Sequence, residues 1–427
     1  MDTCSERGVA AVIAESGAAE DVVAGRCLYV AGSDLFIRLN QPAQRLPLHW
    51  AAHVEQLDLV GYAAFYDGPP APALARIRQG IANTLARRVT VTGDGAIRRI
   101  SARRLRLPSA VDLLAQDLWL YAILRPHLAR HYAIGIVYDP ESALLAACLK
   151  RSGRVETLVY HDIDYYPAVH PHGRRITAWR ERMLVRMADA VLSVSRPLVA
   201  LREQQGARRV FYLPNGVDYE TFSAANRLRA PHPPTLLYAG TLDLRWGVDL
   251  PIRALPRLRE RLPGVRLLIA GDGPASAQLR ALAGEAGVSE AVRFLGFVPY
   301  DRLPAIMAEA DLGLATSRED IFRQYASPLK IVEYMAAGLP VICSGGGEAA
   351  LMVEESGGGV NIPFVPEALA EATAALLAHQ DALATRRNAA VAYARGRTWD
   401  SLGRQLAADL RELARDGAQP RRERRLT

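Results

Sequence analysis

Residues 327–344 read SPLKIVEYMAAGLPVICS, a helix pattern running into a strand pattern. Ser327 suits an N-cap, Pro328 the first helical position and Gly338 the end. At 3.6 residues per turn, Leu329, Ile331, Val332, Met335 and Ala336 share one side. Lys330, Glu333, Tyr334 and Ala337 share the other. Lys330 thus stands in the first turn, where the helix dipole is positive and a cation is unfavourable. An anion there would gain the free N–H groups, the dipole and the ammonium together, and a diphosphate fits that description. Glu333, one turn on, is an acceptor-only group suited to the vicinal hydroxyls of a sugar. The same wheel also fits an exposed Lys–Glu pair worth about 0.2–0.5 kcal/mol.

Outward from this stretch, short β-branched runs alternate with amphipathic helical patterns. Strands are expected at 27–31, 57–65, 134–138, 157–160, 190–194 and 209–213 in the first half. In the second they are expected at 235–239, 265–270, 292–295, 311–315, 340–344 and 359–362. Such alternation implies parallel sheets covered on both faces. A Pro-, Ala- and polar-rich break, SAANRLRAPHPP at 223–234, reads as a linker between two doubly wound domains. The division expected is a leader at 1–24, an N-terminal domain at 25–222, a C-terminal domain at 235–416 and a basic tail at 417–427. The last helix is expected to return to the N-terminal domain. In paired domains of this kind, ligands bind at the carboxyl ends of the strands.

The 427 residues carry a net charge of +7. Arginines cluster at 87–106 (87, 88, 98, 99, 103, 104, 106), at 174–186 (174, 175, 180, 182, 186) and at 421–425. Such patches suit an anionic membrane surface or phosphorylated substrates, or are plain solvated faces. No zinc-finger spacing or aromatic-interleaved pattern favours nucleic acid. No apolar run reaches the eighteen or so residues of a membrane-spanning helix. Cys4, Cys27, Cys148 and Cys343 show no metal or redox spacing, which predicts a reducing compartment and no metal.

Three glycine-bearing strand ends join the opening stretch. LLIAGDGP (267–274) places Gly271, Asp272 and Gly273 in a close-approach loop or a plain turn. LLYAGTLDLRWGVDL (236–250) places Gly240, Thr241 and Arg245 between a strand and a helix start, where Arg245 reads equally as a surface arginine. VICSGGGEAALM (341–352) puts three glycines before Glu348, for close backbone approach or simple flexibility.

The order PNGVD (214–218), strand with Gly-Thr-Leu, IAGDGP, VRFLGFVP, ADLGLATS and SPLKIVEYMAAGLPVI resembles the retaining glycosyltransferases of family 4 over about 181–362. The resemblance implies a GT-B fold: two facing Rossmann-like domains with a deep cleft between them. It implies sugar transfer from a nucleotide-diphosphate sugar, as co-substrate, without metal or other cofactor. By position it implies that Glu333 holds the ribose hydroxyls and that Ser327, Pro328, Leu329 and Lys330 lie beside the diphosphate and sugar. Gly296, Phe297 and Val298 would meet the base. Gly240 and Thr241 open the loop that usually carries a basic pair. His161, at the end of a strand in LVYHDIDYY, would face the donor sugar; a buried structural histidine is the other reading.

The chain departs from the family pattern. Tyr325 stands where the motif's first Glu is expected. Thr241 and Trp246 replace the basic pair, so Arg245 and Lys330 are expected to supply the charge. The expected function is retaining transfer in surface polysaccharide or glycolipid assembly, in the cytoplasm or peripherally at the inner membrane face. The acceptor would be lipid-linked or a saccharide. The alternatives are a catalytically silent nucleotide-sugar-binding or scaffold protein, a small-molecule tailoring enzyme and an epimerase on the same fold. Nucleic acid is not an expected partner.

Overall fold

The computed structural model describes residues 22–31, 42–63, 89–93, 96–103, 109–169 and 174–418. The leader before residue 22, Cys4, the arginines at 87, 88, 104 and 106, and the tail beyond 418 lie outside these. The chain forms two compact units. The first takes in Met1–Val194, Leu198–Leu213 and Asp400–Thr427. The second takes in Ser195–Pro197 and Pro214–Trp399.

The first unit contains an eight-stranded sheet of order β3-β4-β2-β1-β5-β6-β7-β8. Its strands are β1 (Val23–Ala31), β2 (Val54–Ala63), β3 (Val89–Thr92), β4 (Ile97–Arg103), β5 (Tyr132–Val137), β6 (Val155–Asp162), β7 (Ala190–Ser193) and β8 (Val210–Tyr212). All pairings are parallel except β3 with β4. That hairpin was not expected. It lies in the arginine cluster, and its exposed face hides the strand alternation among charges. Arg98 on β4 is no free patch charge. Its guanidinium reaches the fully buried Asp58 at 2.5 Å, beside Arg26 at 2.9 Å and the Tyr132 hydroxyl at 2.5 Å. Arg180, from the second cluster, is also buried and meets Asp117. Burial lifts the Asp117 carboxyl to about 6.

The second unit contains a six-stranded parallel sheet of order β11-β10-β9-β12-β13-β14. Its strands are β9 (Thr235–Ala239), β10 (Arg266–Ala270), β11 (Val292–Gly296), β12 (Leu312–Ala315), β13 (Val341–Ser344) and β14 (Gly359–Ile362). Both faces are covered, as the near-continuous apolar runs require. Along β9, Leu236 and Tyr238 enter one core while Leu237 and Ala239 enter the other. Full burial of each such side chain contributes about 1.5–3 kcal/mol before entropy is counted.

The segment expected to link the domains does not do so. Its first residues finish the helix Tyr219–Leu228, which Asp218 caps through the Thr221 N–H. Phe222 and Ala225 bury that helix against the second unit's own core. The chain passes between units at Leu213/Pro214 instead. The final helix, Trp399–Ala418, places Leu402, Leu406 and Leu410 in the interior. Gly403 lies against the backbone of His49, and Gln405 donates to the Tyr212 carbonyl, both in the first unit.

Candidate active site

The opening stretch forms the helix Leu329–Ala336 and then β13. Gly338 ends the helix with φ +70°, as the pattern predicts. Its start is shifted by one residue. Pro328 is the N-cap, with extended backbone, and Ser327 lies outside it. The Ser327 hydroxyl is therefore not a cap: it is buried without a hydrogen-bond partner among the described residues. The Ser327 carbonyl accepts from Asn215 of the PNGVD segment at 2.8 Å, which fixes the approach to the helix.

The wheel misplaced Tyr334. Its ring is fully buried against Gly313, where any Cβ would lie 2.5 Å from it, and its hydroxyl accepts from the Ala239 N–H at 2.7 Å. One backbone partner at the right distance makes a core position of a residue that counts as polar on a wheel. Lys330 and Glu333 do keep the outer face. Glu333 accepts from the Tyr300 hydroxyl at 3.1 Å.

Lys330 has no ion pair among the described residues. Its ammonium lies 4.2 Å from the centroid of the buried Tyr238 ring. Gly240, at φ +145°, leaves it room: a Cβ there would come within 2.8 Å of Nζ. Desolvation, then the charge of Arg323, lower the Lys330 pKa to about 7, with Glu333 opposing weakly. The ammonium is thus costly as it stands and would be stabilised by an anion.

Arg323 was not anticipated. It sits on the short helix Ile321–Tyr325, capped by Asp320. Its guanidinium lies 3.4 Å from the centroid of Trp246, the residue that replaces the second member of the basic pair. Arg323, Lys330, Thr316, Ser317, Pro328 and Gly346 line one small cavity at the carboxyl ends of β12 and β13. No local motif marks Arg323; only the folding of one loop over another brings it there.

Arg245 takes a different position from the one expected. Asp243 caps the turn Leu244–Trp246 and accepts from the Arg245 guanidinium at 3.1 and 3.2 Å. That side chain is 71% exposed, and it is Arg323 whose charge acts on Lys330.

The glycine loops act chiefly on one another. Gly240 N–H donates to Ala270, Leu242 to Asp272, and Gly271 to Gly296. A Cβ on Gly271 would fall 1.9 Å from the Gly240 carbonyl oxygen, and one on Gly273 2.5 Å from that of Leu242. The loops after β9, β10 and β11 therefore form a floor joined backbone to backbone. Asp272 caps locally, accepting from Ser276 and the Gly273 N–H. Thr241 is exposed, and its carbonyl accepts from the Tyr238 hydroxyl. Phe297 stands 79% exposed after β11, while Val298 packs into the core. Gly347 fits under the Gln324 carbonyl, so this glycine serves the helix Ile321–Tyr325; Gly346 lines the cavity. Tyr325 is half-buried, its carbonyl accepting from Ser195 at 2.7 Å.

His161 lies at the end of β6 in the first unit. It is 1% exposed, 3.0 Å from the Tyr29 hydroxyl through Nδ1, and edge-on to Tyr138. Burial drives its pKa down to about 3, so the ring is neutral. Its surroundings match the structural reading better than an open contact with a sugar. Among the described residues there is no cluster of three metal-binding side chains, and no helix is long and apolar enough to cross a membrane.

Residues 233–379 match the glycosyl transferases group 1 family. The chain is 34% identical over 212 residues to a GDP-mannose-dependent alpha-(1-6)-phosphatidylinositol monomannoside mannosyltransferase of Mycobacterium tuberculosis, covering 47% of this chain and 55% of that protein. It is 29% identical over 253 residues to the alpha-D-kanosaminyltransferase of Streptomyces kanamyceticus, covering 56% and 64%. The chain thus spans little more than half the length of these curated relatives. The sucrose-phosphate synthase of Thermosynechococcus elongatus superposes with a TM-score of 0.69 at 18% identity, over 92% of this chain and all of that one. Anabaena HepE in complex with UDP superposes at 0.66 and 20%, over 91% and 100%. The two parallel-sheet units have the GT-B fold of these structures, and the second-half segments are similar to the group 1 glycosyl transferases over residues 233–379.

Proposed function

We propose that the protein transfers a sugar from a nucleotide-diphosphate donor to an acceptor hydroxyl, with retention at the anomeric carbon and without a metal. The observation that carries this reading is the pair of cations, Lys330 and Arg323, set on aromatic faces around one cavity at the strand ends. The bond from the anomeric carbon to the diphosphate oxygen breaks, and charge develops on the departing phosphate. Lys330, Arg323 and the N-terminus of the helix Leu329–Ala336 stabilise that charge. The acceptor oxygen attacks from the face the phosphate leaves, and its proton passes to the departing phosphate oxygen. The unpartnered Ser327 hydroxyl donates to the phosphate or the sugar. Glu333, oriented by Tyr300, accepts from the ribose hydroxyls. Phe297 supplies an exposed aromatic face for the base. Tyr325 stands beside the sugar, and the glycine floor holds the loops in place.

The acceptor we favour is a lipid-linked saccharide, with the protein held peripherally at an anionic membrane face. The mannosyltransferase relative, whose name specifies a phosphatidylinositol monomannoside, supports this reading. Liposome flotation with and without anionic lipid tests it. The donor is tested by thermal shift against nucleoside diphosphates and their sugars. One of them should raise Tm in the wild type and fail to do so in Lys330→Ala. Donor binding without turnover on any acceptor would favour the silent, nucleotide-sugar-binding alternative.

A further inference from the structure

The second unit has a cavity of about 380 Å³ away from the site above. It opens at the other end of the same sheet. Thr235 starts β9, Asp311 immediately precedes β12, and Asp311 accepts from the Thr235 N–H at 3.0 Å. The lining includes Arg229, His232, Asp311, Leu377, Gln380 and Arg387. Asp311 is its one carboxylate, and Arg387 and His232 both lie against it. Arg387 Nη2 lies 2.8 Å from Oδ1, and His232 Nδ1 lies 3.7 Å from Oδ2.

Two arginines face this one carboxylate, so a positive charge is left over. Arg229 donates to the carbonyls of Ala310 and Ala337, neutral groups that hold the guanidinium without cancelling it. Burial and the nearby charge of Arg387 hold the Arg229 pKa below its ordinary value. Arg387 Nε is buried and has no hydrogen-bond partner among the described residues. Gln380 begins the helix Gln380–Arg395, whose His379 N-cap provides no side-chain hydrogen bond, so its first N–H groups remain available at this edge. Two arginines, a histidine and a helix N-terminus against one carboxylate make a receptor for a dianion. Leu377, Leu262 and the neighbouring prolines add apolar wall for a short organic body.

We propose that this cavity binds a phosphate group, free or carried by a small phosphorylated metabolite, at a second site distinct from the Lys330 cavity. It does not depend on the donor assignment. The dianion takes up the net positive charge that Arg229 and Arg387 keep over the single carboxylate of Asp311, with the His232 ring as a neighbouring polar group.

The test is isothermal titration of the whole protein with inorganic phosphate and with glycerol 3-phosphate, glycerol serving as the neutral control. The proposal expects at least one anion to bind wild type and Lys330→Ala alike, and glycerol not to bind. Tighter binding of glycerol 3-phosphate than of phosphate identifies an ester as the natural ligand; equal binding identifies the free ion. Arg229→Gln should weaken binding at least tenfold. So should Gln380→Glu, which adds a negative charge at a helix N-terminus that tolerates it and leaves the Arg387–Asp311 pair intact. Both variants should keep wild-type nucleoside diphosphate binding, which also reports folding. The proposal is overturned if neither anion binds wild type at millimolar concentration, if Gln380→Glu binds as wild type, or if Lys330→Ala alone abolishes binding. The last outcome would place the anion in the donor cavity.

Discussion

Arg202 in the first unit and Lys330 in the second are both cations held inside protein, and they are held in opposite ways. Arg202 is fully buried, with Nε at 2.7 Å and Nη2 at 2.8 Å from the Asp162 carboxylate and Nη2 at 2.9 Å from Glu181. Ser193 and Tyr160 hydroxyls complete Asp162. Every charge there is answered from within the fold. Lys330 has an aromatic ring below it, a second cation in the same cavity and only a weakly felt carboxylate one turn away. A closed network specifies structure, whereas an open one awaits a ligand. The difference separates the two kinds of buried charge without reference to any motif.

The contrast is most strongly tested by removing one partner from each. Asp162→Ala leaves Arg202 buried with Glu181 as its one charged partner, beside the Gln205 amide oxygen, and should cost about 3–5 kcal/mol of stability, read by urea denaturation. A loss under 1 kcal/mol would mean that the network is not closed. Lys330→Ala should lower turnover about 10²–10³-fold, the range for deleting one preorganised charge-stabilising group, while Tm of the free protein stays level or rises. Turnover at the wild-type rate would remove Lys330 from the mechanism.

Smaller effects sharpen the comparison. Trp246→Ala removes the platform under Arg323 and should weaken nucleoside diphosphate binding by about 1–2 kcal/mol, roughly five- to thirtyfold, by titration calorimetry. Arg245→Ala should change it less than twofold, because that side chain is exposed and paired with Asp243. An equal loss in both variants would restore Arg245 to the site. The smallest effect is in protons. The free Lys330 pKa is about 7, and a bound diphosphate raises it. At pH 8 donor binding should take up a proton, and at pH 6 almost none. Affinity should therefore fall as pH rises past 7. Calorimetry in two buffers of different ionisation enthalpy measures the uptake, and none at pH 8 would show that Lys330 is already charged.

The second unit was largely legible before folding. β9 coincides with the expected 235–239 because a strand buried on both faces leaves an unbroken apolar signal, and the edge strand β14 coincides with 359–362 although its Asn361 is exposed. The Lys330 and Glu333 face was legible from helical period alone. Three things were not. The β3–β4 hairpin is masked by arginines, one of which, Arg98, finds its partner Asp58 forty residues earlier in the chain. Tyr334 needed knowledge of one backbone N–H across the sheet. Arg323 became part of the site only through stacking on Trp246, a contact between loops that no periodicity encodes.

The glycine floor bears on how such a site could be given a new donor. Its loops meet at distances that no side chain can enter at residues 271 and 273, and a side chain at 240, where φ is +145°, would meet the Lys330 ammonium. Under the proposed function, a change of nucleotide or sugar is made at the residues standing on that floor. Phe297, 79% exposed after β11, is one such position.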